Sequence, residues 1–565
     1  MIQDEKYDFT PTAKKRLAMI FIIGVILTIS GYIYIANSSS ADGDHGDSHG
    51  TEHGGEHDYG AENDGGIQSD SYSEVPTSKP GVEVQLVSNS EAALSNTIGA
   101  QSTNFEQLQE EDLKANDEAT MDHQSGEQES QTETEQEPYG EDLVGQSTTD
   151  SDNHHDSGVH DQENAYSSKE VHEDSHSEEI HSEEVHDAHG GHHGASPVKK
   201  RFLSNLWINS IFFGGLSIIG VFFFAIQYAA QAGWSAGLKR IPFAFGAWLP
   251  IGFITLLGVF LYGSHDIFHW THADLYTGPE PDKIMLGKAS YFFAPLEAGS
   301  FPFFWVARLV IFFVVWYFFF RKLRSLAYAE DLDGGTKKWY KLRSTSAIFL
   351  VFFAVSSSMA AWDWIMSVDP HWFSTMFGWY VFASWWVSGL ALSLFIILFL
   401  KDKGLLSVVN ENHIHDMGKF VFAFSIFWTY VWFSQFLLIY YAHIPEETIY
   451  YLERWKSDHY APVFFINLIL NFFLPFLLLM TRDSKRHSRM LKVATMIIVF
   501  GHWIDFYLMI SPATVGENGG FGFMEMGIIM MFISAFLYVV FNALSKAPLF
   551  AKNHPMLQES LHHHI

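Results

Sequence analysis

Ten stretches of roughly 20 mostly apolar residues dominate what this chain can fold into. Each is about the length an α-helix needs to cross a hydrocarbon core at about 1.5 Å per residue. One runs from Leu17 to Ile35. The other nine follow in succession: Leu206–Ala229, Ala244–Tyr262, Phe301–Phe320, Ala347–Val368, Met376–Leu400, Phe420–Ala442, Ala461–Met480, Met490–Ile510 and Met524–Leu544. They are rich in Phe, Trp and Ile nearly all round, so they lack the polar stripe of a helix at the surface of a water-soluble domain. The expected fold class is an all-α polytopic membrane protein with about ten transmembrane helices. The first run follows Lys14-Lys15-Arg16 and is read as a membrane helix within residues 1–36. A cleaved signal peptide is the competing reading, but 19 apolar residues is long for its hydrophobic segment.

Residues 37–200 have the opposite character. Between 37 and 198 there are 39 Asp and Glu against 3 Lys, so the formal net charge of -30 belongs to this segment and the remainder is slightly basic. Its apolar residues are too sparse to offset the entropy of ordering the backbone, which predicts a disordered, acidic, His-rich segment. Histidines recur at steps of four in His45, His49, His53 and His57, and again from His154 to His193. Beside carboxylates they can collect zinc, copper or nickel, or simply belong to a solvated polyanionic spacer. The chain has no cysteine. That excludes a disulfide, a thiolate-held iron–sulfur cluster or a C-x-x-C-H haem attachment within this polypeptide.

Orientation follows from the basic residues of the short loops. With the N-terminus inside, the inner side collects 23 Lys and Arg, and the short outer loops hold only Lys283, Lys288, Arg454 and Lys456. The positive-inside rule therefore places both termini in the cytoplasm and residues 37–200 outside. On that topology the ionisable residues of the apolar runs gather beneath the outer face. The inner halves carry no Asp, Glu, His or Arg away from their ends; only Gln227, Asn471 and Asn542 are strongly polar there.

The densest polar stretch is Ala361–Thr375, which joins two apolar runs and contains Asp363, Asp369 and His371 among three tryptophans. Pro370 forces its predecessor out of helical geometry, so a turn is expected at the membrane boundary. His502 and Asp505 are spaced i, i+3, and His265, His269 and His272 are spaced i, i+4, i+7, so each set is expected to share a helix face. The foremost candidates for proton transfer or a quinol site are Asp363, Asp369, His371, His502, Asp505 and Arg308. His265, His269, His443 and Glu525 form a second rank. No metal site is assigned: the histidine trio has no acidic ligand fixed by spacing. Bis-histidine haem would need matched, deeper histidines on facing helices, and these are lacking.

The pattern Trp362-Asp363-Trp364-Ile365-Met366-Ser367-Val368-Asp369-Pro370-His371-Trp372-Phe373-Ser374-Thr375, with Gln227-Tyr228, Gly233-Trp234-Ser235 and Lys239-Arg240-Ile241-Pro242, resembles the membrane subunits of bacterial alternative complex III. These are NrfD-like integral proteins, and the likeness is closer to the second, ActF-type, of the two in that complex. It covers residues 203–548 or so and leaves the acidic insertion aside. The resemblance implies ten helices built as a double four-helix-bundle architecture; the apolar runs and loop charges give residues 201–548 as a nine-helix membrane domain and 549–565 as a cytoplasmic tail. It implies a bacterial inner-membrane location and a cofactor-free membrane subunit of a quinol:electron-acceptor oxidoreductase, inactive alone and contributing scaffold, proton transfer or a periplasmic-side quinol site. Menaquinol or another quinol would be the substrate. Haem c and iron–sulfur clusters would reside on partner subunits: a second NrfD-like protein, an iron–sulfur protein and multihaem cytochrome c, with a terminal oxidase as a further candidate. No nucleic acid is expected among the partners. Proton transfer is expected at His371 with Asp369 and Asp363, or at His502 with Asp505, with Arg308 neutralising local charge. The alternative reading is a metal-ion or solute transporter with a His-rich extracytoplasmic loop.

Overall fold

The computed structural model describes residues 5–41 and 196–564. The acidic segment, its histidine groups and its expected disorder lie outside the described residues. Among the described residues all regular structure is helical, and ten helices are long and apolar enough to cross a membrane. The protein is a multi-pass membrane protein. The spanning helices are α1 (Pro11–Ala41), α2 (Pro197–Ala229), α3 (Leu249–Ile267), α5 (Phe303–Asp333), α6 (Lys337–Trp364), α7 (Phe377–Asp402), α8 (Glu411–Ala442), α10 (Ala461–Leu479), α11 (Ser488–Val515) and α12 (Phe523–Leu544). Two shorter helices, α4 (Lys283–Phe293) and α9 (Pro445–Trp455), cover the end of the bundle at which Asp363 sits; α13 (Leu557–Leu561) lies at the opposite end, near Lys239.

Every expected span is present, but several run past the apolar residues that mark them. α5 continues beyond Phe320 to Asp333, and α8 begins at Glu411 rather than Phe420. A charge ends an apolar run without ending a helix: Arg, Lys, Leu and Ala after Phe320 all have good helix propensity.

Contacts between helices close two rings of four. α2, α3, α5 and α6 form one; α7, α8, α10 and α11 form the other. Burial identifies the helices that join them. The apolar stretch of α2 is 94% buried and that of α7 is 89% buried, against 17% for α1. Helices approach this closely in a membrane where small residues face bulky ones. At Gly215 on α2, a side-chain carbon would fall 1.9 Å from the indole nitrogen of Trp385 on α7, and at Gly389 on α7 it would fall 2.4 Å from Ile219.

α1 packs along α12 through small residues on both helices. A Cβ on Gly24 would meet the carbonyl of Gly527 at 2.8 Å, and one on Gly527 would meet the Thr28 hydroxyl at 2.4 Å. This fitted contact runs through the middle of the first apolar run.

The segment expected as a cytoplasmic tail folds back onto the Lys239 end. Leu549 N–H donates to the Glu5 carbonyl, Arg240 donates to the Phe550 carbonyl at 3.0 Å, and His563 pairs with Asp416 at 2.6 Å. Both described chain ends therefore lie at the same end of the bundle.

Candidate functional site

Asp363, at the last turn of α6, is fully buried and held by a bidentate bond to Arg308 of α5: Nε to Oδ2 at 2.7 Å and Nη2 to Oδ1 at 2.9 Å. The Tyr291 hydroxyl of α4 donates to Oδ1 at 2.8 Å, and Arg308 donates to the Tyr291 carbonyl while its guanidinium lies over the Tyr291 ring. The indoles of Trp305 and Trp207 donate to the carbonyls of Asp363 and Trp364. Both charges are saturated, so the cluster pins α4, α5 and α6 together.

The structure pairs His371 with neither Asp363 nor Asp369, contrary to the grouping expected from sequence. The chain turns at Pro370, and the half-exposed His371 ring pairs instead with Asp282 at 2.6 Å. Asp282 caps α4 through the amides of Ile284 and Met285. Burial pushes its carboxyl up, but the His371 bond and the two amides outweigh this and hold it below its ordinary value.

The helix-face spacing of His265, His269 and His272 also fails. α3 ends at Ile267, so His269 lies in a separate turn. His272 bonds the His265 carbonyl, and the rings of His269 and His371 lie 6.3 Å apart at the surface. Among the described residues no three His, Asp or Glu are placed to hold a metal ion. His443 is an exposed left-handed cap ending α8. Glu525, buried at the start of α12, forms a second bidentate pair, with Arg201 at 2.7 and 3.0 Å, and also accepts from Asn205 and the Gly522 amide.

His502 and Asp505 present a different chemistry. They are fully buried inside the α7–α8–α10–α11 ring. Asp505 Oδ1 accepts from the Tyr380 hydroxyl and from Asn467 Nδ2 (2.9 Å); Oδ2 accepts from the Ser384 hydroxyl (2.8 Å) and Trp428 Nε1 (2.9 Å). All four donors are neutral, and each ring helix supplies at least one residue to the site. His502 Nδ1 is 3.9 Å from the carboxylate, too long for a hydrogen bond, but 3.0 Å from the Ser384 hydroxyl that bridges them. His502 Nε2 and Asn471 Oδ1 are buried without hydrogen-bond partners among the described residues. Asn471 donates to Asn467 at 2.6 Å and sits in a π-turn at Ile469–Phe473, a distortion often found at functional sites. Gly501 makes room for it: a side-chain carbon there would lie 2.4 Å from Asn471 Oδ1.

Toward the Asp363 end, α9 turns Tyr450, Tyr451 and Arg454 into the protein. Arg454 spends its donors on the carbonyls of Tyr450, Leu508 and Met509. Burial pushes the Tyr450 hydroxyl up to about 12, with Arg454 opposing and Asp505 adding to the shift.

A second titratable cluster, which the sequence reading missed, is buried at the Lys239 end. The Tyr228 hydroxyl donates to Glu330 at 2.7 Å, and Lys239 Nζ lies 2.7 Å from His554 Nε2 and over the Tyr228 ring. Titratable groups are therefore buried toward both ends, not gathered at one. Burial lowers the Lys239 amine to about 7, with Glu330 opposing and Arg240 reinforcing. Burial, with Lys239 and Arg240 alongside, pushes the His554 imidazole down to about 2. The Met556 amide donates to His554 Nδ1 at 3.2 Å. A neutral imidazole bonded this way carries its proton on Nε2 and donates to a neutral amine.

No protein-family model matches the sequence, and no curated protein matches it.

Proposed function

We propose that this chain is an ActF-type, cofactor-free membrane subunit of a bacterial quinol:electron-acceptor oxidoreductase, and that its chemical contribution is proton transfer at Asp505. The reading is supported by one contrast in the geometry. Protonating Asp363 or Glu525 would strand a buried arginine, whereas protonating Asp505 leaves no charge unpaired, because its four donors are neutral. The Ser384 hydroxyl, which both donates and accepts, can pass a proton between Asp505 Oδ2 and His502 Nδ1 over bonds of 2.8 and 3.0 Å. The Asp363 end is then the periplasmic end, where partner subunits with c-type haem and iron–sulfur clusters take the electrons of the quinol.

Two measurements test this separately. Purification in mild detergent is expected to bring down c-type haem, seen in the optical spectrum; a pure, colourless chain from respiring cells overturns the family reading. In the assembled complex, Asp505→Asn is expected to lower quinol-dependent cytochrome reduction or its coupled proton release by at least tenfold. Wild-type values for both in a fully assembled D505N complex would remove Asp505 from the chemistry.

A further inference from the structure

At the Lys239 end, where the apolar run of α5 stops at Phe320, Arg321, Lys322 and Arg324 follow within four residues. Arg324 and Tyr328 line two adjoining clefts. One, of about 230 Å³, lies between α5, α12 and the turns before α3, and Lys546 and Asn542 also line it. The other, of about 410 Å³, is bordered by Arg321, Lys322 and Phe318. The deeper walls are apolar: Phe243, Phe320 and Val539. Among the described residues, none of Arg321, Lys322, Arg324 and Lys546 forms an ion pair with a carboxylate, although acids occur ten residues further along α5. Asp331 is taken by Arg240 at 2.7 Å and Asp333 by Lys338 at 3.2 Å. The guanidinium of Arg324 and the amine of Lys322 instead lie over Phe320 and Phe318, at 5.2 and 5.6 Å from the ring centres.

We infer that this double cleft is a binding site for an anionic phospholipid of the leaflet at the Lys239 end. Its phosphate would sit among Arg321, Arg324, Lys546 and the Tyr328 hydroxyl, with an acyl chain along Phe243, Phe320 and Val539. Charge complementarity selects the occupant. Cations without carboxylate partners surround the mouth, the interior is hydrocarbon-like, and the level is where an apolar span meets its basic flank. A zwitterionic lipid brings its own cation into the same cluster, and a free anion leaves the apolar wall uncovered.

The test is native mass spectrometry of the full chain in detergent, titrated with phosphatidylglycerol, phosphatidylcholine or inorganic phosphate. At roughly fivefold per cation, the triple variant Arg321→Gln, Arg324→Gln, Lys546→Gln is expected to lose on the order of 100-fold in phosphatidylglycerol affinity. A control with Lys337→Gln, Arg482→Gln and Arg489→Gln is expected to lose little. Ala247→Trp, which fills the apolar part and keeps every charge, is expected to weaken binding as well, so the outcome does not hang on one variant's folding. Equal losses in site and control variants, phosphatidylcholine binding as tight as phosphatidylglycerol, or displacement by phosphate alone would each overturn the assignment. So would a change in oligomeric state of the triple variant with lipid binding intact.

Discussion

Acid should release the C-terminal segment from the Lys239 end, and His554 should be the reason. The ring is 5% exposed, and its folded-state value lies far below the ordinary 6.5. When the segment is undocked, His554 binds a proton below about pH 6.5 that the docked form refuses, so docking weakens as pH falls through that value. The slope for one group is about 1.4 kcal/mol per pH unit. Because the undocked ring is already half protonated at pH 6.5, the loss between pH 6.5 and 5 is about 1.6 kcal/mol, or roughly a 15-fold rise in the open fraction. Lys239 acts in the same direction at higher pH: its amine is lowered to about 7, so docking strengthens as pH rises from there toward the ordinary 10.5.

The absence of cysteine makes the assay clean. A thiol introduced by Ala551→Cys replaces a fully buried methyl, and its labelling rate reports opening once corrected by the rate at the exposed position in Gln558→Cys. The corrected rate is expected to climb about 15-fold from pH 6.5 to 5 and to lose that dependence in His554→Asn. An identical acid response in the His554→Asn background, or protection that persists unchanged to pH 5, would refute the reasoning.

Two further outcomes follow from packing. Arg308→Met leaves the Asp363 carboxylate buried with only the Tyr291 hydroxyl, so destabilisation on the order of 3–5 kcal/mol is expected. The double variant Arg308→Met, Asp363→Leu should melt higher in detergent than the single one, and a single variant as stable as wild type would contradict the pairing. For α1, the Thr28 hydroxyl lies 3.7 Å from the Met531 sulfur. Gly527→Leu, whose side chain would be driven onto the Thr28 hydroxyl and backbone amide, should push α1 off α12 and lower the melting temperature in detergent; an unchanged melting temperature would contradict the fitted contact.

The ten spans were legible because an apolar run of this length has no other stable fate in a bilayer, whereas their ends were not, since charge stops the run and leaves the helix intact. Arg308, Asp363, His502 and Asp505 stood out as charges within apolar sequence. Their partners did not: Tyr380, Ser384 and Trp428 are unremarkable residues until the second ring brings them round one carboxylate. Asn467 and Asn471, four apart in an apolar run, were the available signal. His371 and the His265 set were misjudged for a common reason. Local order does not carry past a break in the chain: nearness does not hold His371 to Asp369 across the Pro370 turn, and helical spacing stops where α3 ends at Ile267. Lys239 and His554 are 315 residues apart, and only the folding back of the C-terminal segment joins them.

How far a proton could travel from Asp505 is limited by where the neighbouring hydroxyls point. Deeper toward the Lys239 end, Ser425 donates to the Val421 carbonyl and Thr495 to the Leu491 carbonyl, each closed on its own helix. In the other ring, Ser357 and Ser358 likewise donate to Ala354, while Ser356 donates to Phe353 and accepts from Trp316. None of these bonds links one helix's hydroxyl to the next as Ser384 links Asp505 to His502. Among the described residues, side chains alone therefore carry the polar chain only from Asp505 to His502 and, through Asn467, to Asn471, where the two orphaned atoms mark its inner limit. On the proposed reading, Asp505 exchanges protons with the Asp363 end, where the quinol would be oxidised, and passage to the Lys239 end would require water threaded past His502 Nε2 and Asn471 Oδ1.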